Sequence, residues 1–181
     1  VKPKLPSALA AGSIAIIVNT LALRAADLIS LPTAKGGLLR LVSSWSMPIL
    51  GQLGMTYTWT SLELPTVASP FLQTGFHLFV GMLMALFYGY VVEPLLPGLN
   101  DILKGATYAV IVWILNAFVV LPLTSEGIAG VAHLTVAGIL WYAAAHTLFF
   151  LILAQLYGVL RNRPASATPA LRSLPDSSTS G

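Results

Sequence analysis

The chain has 181 residues, of which 56% are hydrophobic and only 8% charged, and its mean hydropathy is +0.84. A soluble domain carries roughly 25% charged residues, so the apolar runs exceed what one water-soluble core can hide, and the class is integral membrane protein. Cysteine is absent, which removes disulfides, thiolate metal sites, iron–sulfur clusters and a cysteine nucleophile. The formal charge of +3 arises from few residues, with the basic ones concentrated near the termini. No basic run is interleaved with aromatics, so nucleic acid is not an expected partner.

The chain lacks an initiator Met, so a trimmed or incomplete start is expected. The opening VKPKLP is basic and is followed by an apolar stretch that continues to Ile29. That is too long for the core of a signal peptide, so the spacing predicts a retained helix over about 7–30. Arg24 and Asp27 stand three apart on one face of it and can pair, either at the membrane interface or in a transport path. Asn19 lies further inside the same helix. A long connection follows, in which Leu38, Leu39, Leu41, Val42 and Trp45 accompany Lys35 and Arg40. This reads as an interfacial amphipathic helix over about 34–47, ended by Met47-Pro48. It is expected to act as a lid or docking surface, or to cap one end of the helices. Trp45, Tyr57 and Trp59 suit the headgroup layer.

The second membrane helix is predicted over 71–92. It contains Gly81, Ala85 and Gly89, a spacing of small residues that lets membrane helices approach closely. Glu93-Pro94 opens a short turn to Asn100. A third helix is predicted over 103–121, with Asn116 inside it and Pro122 stopping or kinking it. A fourth is predicted over 131–160, with His133 in its first turns and Gln155 near its end. The Ser/Pro-rich residues 161–181 are expected to be a disordered tail.

Two helices share a pattern. FHLFVGMLMALFYG (76–89) and AHTLFFLILAQLYG (145–158) each place Ala, Tyr and Gly eight, eleven and twelve positions after a His. His77, Ala85 and Tyr88 therefore share a helical face, and His146, Ala154 and Tyr157 share the matching one. The fold expected is an all-α, integral membrane four-helix bundle of two helical hairpins, the second repeating the first, with both His at one depth. Basic residues near both ends place the termini in the cytoplasm, across a bacterial-type inner membrane.

The residues His77, Gly81, Gly105, Trp113, Pro122, Gly127, His146 and Gly158, spread over 71–160, resemble the pattern of a family of small bacterial four-helix integral membrane proteins of uncharacterised function. The resemblance implies four membrane helices with an interfacial segment, and no reaction.

There is no GxSxG, phosphate-loop or HExxH motif, and no membrane helix carries two carboxylates. A catalytic or metal site is not expected. A non-catalytic accessory subunit of a larger energy-transducing (respiratory or photosynthetic) membrane complex is the first expectation, with the lipid bilayer and other membrane subunits as partners. The alternative is cofactor binding: His77 and His146 as ligands of a b-type haem, one of them on a chlorophyll-type pigment, or a quinone, lipid or small solute lined by Asn19, Asn116, Gln155 and the two His. Helix 2 has Tyr90 where a second haem would need a His, so two haems are excluded. The plain structural role for both His is an interhelical hydrogen bond.

Overall fold

The structure, a computed structural model, describes residues 5–34, 36–62 and 65–162. Of the tail expected over 161–181, residues 161 and 162 belong to the last helix and the rest lies outside the described residues, as do Lys2, Lys4 and Lys35. The described residues contain helices and no strand. Four helices are long and apolar enough to cross a membrane, and the chain is a multi-pass membrane protein. These are α1 (Leu5–Leu28), α4 (Pro70–Leu95), α5 (Asp101–Leu123) and α6 (Val136–Asn162). Two shorter helices, α2 (Gly37–Gln52) and α3 (Met55–Ser61), fill the long connection.

The boundaries differ from expectation at the prolines. Pro48 lies inside α2 rather than ending it. Pro94 and Pro122 lie within α4 and α5, each preceded by one π turn: Tyr88–Val92 and Asn116–Val120. Proline brings no N–H and its ring crowds the carbonyl four residues back. A π turn widens the helix there and lets it run on for one more turn. Helix α4 thus carries Glu93 inside it instead of opening a turn there. Helix α6 begins at Val136, which leaves His133 in the preceding turn, exposed. The start of α5 is capped by the Asn100 side chain, which accepts from Leu103 N at 2.8 Å.

Close packing follows the small residues. On α1, Gly12 abuts Ala85 of α4, and Ala8 faces Gly89 across 3.3 Å from the position a Cβ would take. Ile16 fills the notch left by Gly81. On α5, Gly105 abuts Ala154 and the Phe150 carbonyl of α6, and Asp101 abuts Gly158. Helix α1 also packs along α6, where Trp141 Nε1 donates to the Ala22 carbonyl at 2.9 Å. The core between the helices contains Ala85, Tyr88, Phe150, Leu153, Ala154 and Tyr157, all essentially inaccessible. Tyr88 meets Tyr157 edge-on at 5.6 Å between ring centres. By contrast α4 and α5 meet mainly near Tyr88, where Tyr108 stacks on Phe87. Beyond that point they bound an open space.

Helix α2 lies across one end of that space and has Leu39 and Leu41 buried beneath it. Arg40 forms an ion pair with Glu126 in the loop after α5, and His133 Nδ1 stands 3.3 Å from the other oxygen of that carboxylate. Helix α3 packs against α2, with Tyr57 80% exposed. Trp45 is also exposed, as a residue of the headgroup layer would be.

Candidate functional site: an intramembrane cavity

A cavity of about 510 Å³ lies between α1, α4, α5 and α6, under the first turn of α2. Its wall is mostly apolar and includes Ile16, Met84, Val112, Phe149 and Phe150. Asn19, His77, Asn116, Tyr142 and His146 are among its polar lining residues, with Gln73 and several threonines. Organic ligands occupy pockets of about 300–1,000 Å³ with this division of labour, apolar walls for affinity and a few polar groups for orientation.

Four residues singled out from the sequence therefore come together: Asn19, His77, Asn116 and His146. The His rings are 6.3 Å apart between centres and nearly perpendicular. Gln155 does not join them; it is exposed on another part of α6. Arg24 reaches the cavity edge, where its Nη2 donates to Thr74 Oγ1 at 3.2 Å. Asp27 is exposed one turn on.

Each imidazole is held by a hydrogen bond, His146 within its own helix and His77 across to α1. His146 Nδ1 lies 2.8 Å from the carbonyl of Tyr142, one turn earlier on α6. His77 Nε2 lies 2.8 Å from Asn19 Oδ1, while Asn19 Nδ2 donates to the Ala145 carbonyl at 2.8 Å. Asn19 is 1% exposed, so it acts as a buried bridge from α4 through α1 to α6. Asn116 Nδ2 donates to Tyr142 Oη at 3.2 Å, and the Tyr142 ring packs on His146 at 4.2 Å. Asn116 begins the π turn of α5, so Pro122 contributes to aiming it at Tyr142. Tyr142 was not singled out from the sequence. Its position one turn before His146 on the same helix face is the signal that marks it.

A second polar cluster sits at the opposite end of the helices. Glu93, 5% exposed, pairs with Lys104 Nζ at 2.7 Å and with Arg161, and accepts from Tyr88 Oη at 3.2 Å. It ties the end of α4 to the start of α5 and the end of α6. Both oxygens of this one carboxylate are engaged, Oε1 by the two cations and Oε2 by the phenol, so the cluster clamps the three helix ends together. Among the described residues no group of three or more His, Cys, Asp or Glu is placed to hold a metal ion. Compared with protein-family models, curated proteins and solved structures, the chain matches none.

Proposed function

We propose that this chain is a membrane-embedded binding protein that holds a lipid-soluble small molecule in the cavity between α1, α4, α5 and α6. The observation that carries the reading is the convergence of His77, His146, Asn116 and Tyr142 on one largely apolar space of about 510 Å³. Ionisable and polar side chains are costly inside a bilayer and are retained where they act.

A bis-imidazole haem is the weaker occupant. Nε2 of His77 is committed to Asn19, so iron would have to take Nδ1, the nitrogen beside Cβ. An organic ligand that hydrogen-bonds needs no such rearrangement. The test is to purify the protein from native membranes in mild detergent, extract it with organic solvent and identify what is released. A stoichiometric lipophilic compound, absent from a cavity-filling Val112→Trp variant, is expected. An empty extract from both proteins would sink the reading. A b-type spectrum on dithionite reduction would replace the organic ligand by haem.

The architecture that supports the site is, on this reading, a duplicated hairpin. Ala8 and Gly12 on α1 face Gly89 and Ala85 on α4. Asp101 and Gly105 on α5 face Gly158 and Ala154 on α6 in the same order and spacing. His77 meets His146 and Tyr88 meets Tyr157, as equivalent positions about a shared axis would. The duplication is imperfect where α4 and α5 part, and there the cavity lies. Gly81 and Gly105, two of the residues that carry the resemblance to the uncharacterised four-helix family, are close-approach positions of this packing. Both termini are placed on the cytoplasmic side of the cell membrane by the distribution of Lys and Arg.

A second role is favoured by α3. It stands on α2, and its exposed Met55 and Tyr57 suit contact with another subunit of a larger membrane complex. Co-purification in fixed ratio, lost on deleting 55–61, is the expected result of that role.

A further inference from the structure

The cavity's hydrogen bonds fix where its protons are. The carbonyl of Tyr142 can only accept, so His146 Nδ1 donates to it and Nε2 carries a bare lone pair. The Ala145 carbonyl likewise fixes Asn19: Nδ2 donates there, Oδ1 is the acceptor, and His77 Nε2 donates to it. His77 Nδ1 is then also a bare lone pair. Asn116 spends an N–H on Tyr142 Oη, leaving its own Oδ1 free to accept. Neither imidazole lone pair is sealed from the cavity: among the described residues, the buried side-chain polar atom without a partner is Thr33 Oγ1. At the two imidazoles the wall thus offers bare acceptors, beside Asn116 Oδ1, while its donors are the Tyr142 hydroxyl, the second N–H of Asn116 and the indole N–H of Trp113.

A ligand that matches this wall must bring protons. A neutral ligand suits this wall best: among the described residues no carboxylate lines the cavity to pair a cation, and an anion would face the imidazole lone pairs. The rings of Trp113, Phe149 and Phe150 add flat apolar surface. We propose that the ligand is a lipid-soluble hydroquinone, bound in its reduced form through hydroxyl protons donated to His77 Nδ1 and His146 Nε2. A quinone of the same skeleton brings acceptors to face acceptors, and buried lone pairs left unpaired cost affinity. The inference rests on the reading of the cavity as a small-molecule site, and it names the chemical state of what is bound.

The test uses the full chain in phosphatidylcholine nanodiscs. Equilibrium binding is measured, corrected for empty discs, for an alkyl benzohydroquinone kept reduced, for its quinone, and for its O,O-dimethyl ether. The hydroquinone is expected to bind the unaltered protein at least about tenfold more tightly than either, since one good neutral hydrogen bond is worth roughly that factor. His146→Phe is expected to cost about tenfold for the hydroquinone and to leave the quinone unchanged. If the variant does not fold, the three-ligand comparison on the unaltered protein decides alone. Equal binding of all three compounds, abolished by Val112→Trp, would overturn the donor assignment and leave the cavity a ligand site. No binding of any would overturn the hydroquinone assignment, while the cavity reading itself falls only with an empty native extract.

Discussion

Asn19 is the residue on which the site's geometry turns. Its side chain hydrogen-bonds both His77 and the α6 backbone. Replacing it by Leu leaves the Ala145 carbonyl with one partner fewer and frees His77 to exchange tautomers. A loss of about 1–3 kcal/mol is expected, read as a lower unfolding midpoint in detergent, and the loss should be absent from an exposed control such as Gln155→Leu. Glu93 gives the larger effect. Truncating it to Ala leaves Lys104 and Arg161 without their shared carboxylate in a closed site, and roughly 3–5 kcal/mol is expected. Glu93→Ala combined with Lys104→Met should recover part of it in the same measurement. Neither role was evident from the residue alone. Asn19 read as one polar interruption among several, and Glu93 read as part of a turn, because the sequence does not show that a π turn will carry a helix past Pro94.

At the scale of elements, helix existence was legible and helix ends were not. Apolar length fixed the four spans to within a few residues. The prolines misled: Pro48 and Pro94 read as helix ends and Pro122 as a stop or kink, and the chain carries all three within helices. The small-residue spacing of Gly81, Ala85 and Gly89 was legible as a contact face, although its partner α1 was not specified by it. Gly105→Leu is expected to drive a side chain into the Phe150 carbonyl and to destabilise the α5–α6 pair by about 1–3 kcal/mol, seen as reduced yield and a lower midpoint in detergent. Pro122→Ala restores an N–H and removes the reason for the π turn. An α-helical register there differs by one residue, about 100° of rotation, so Asn116 should leave Tyr142 and binding in the cavity should weaken. The Arg40–Glu126 pair predicts that Glu126→Gln loosens α2 and speeds hydrogen exchange over 37–41.

At the scale of the whole molecule, composition alone set the class, and the paired His pattern pointed to the place where His77 of α4 and His146 of α6 come together. What it left out was the asymmetry. A repeat predicts equivalent contacts, whereas α1 lies along α6 and α4 does not lie along α5 in the same way. The cause is long-range packing that no local pattern encodes. Orientation is directly testable because the chain has no cysteine. With Ser125→Cys, a membrane-impermeant maleimide applied to intact cells is expected to label the protein, and with Leu99→Cys it should label only after permeabilisation. The reverse pattern would invert the topology.

The gap between α4 and α5 has a consequence for how affinity must be counted. Phe76 and Val80 on one side and Leu115 on the other border the cavity from helices that face the hydrocarbon. A molecule reaching His77 by that route is already dissolved in the bilayer, and the concentration that governs occupancy is its mole fraction among lipids rather than its molarity in water. Diluting the same amount of ligand into twice the lipid should therefore halve its effective activity at the site, and a saturation curve plotted against total ligand should shift with lipid content while one plotted against mole fraction should not.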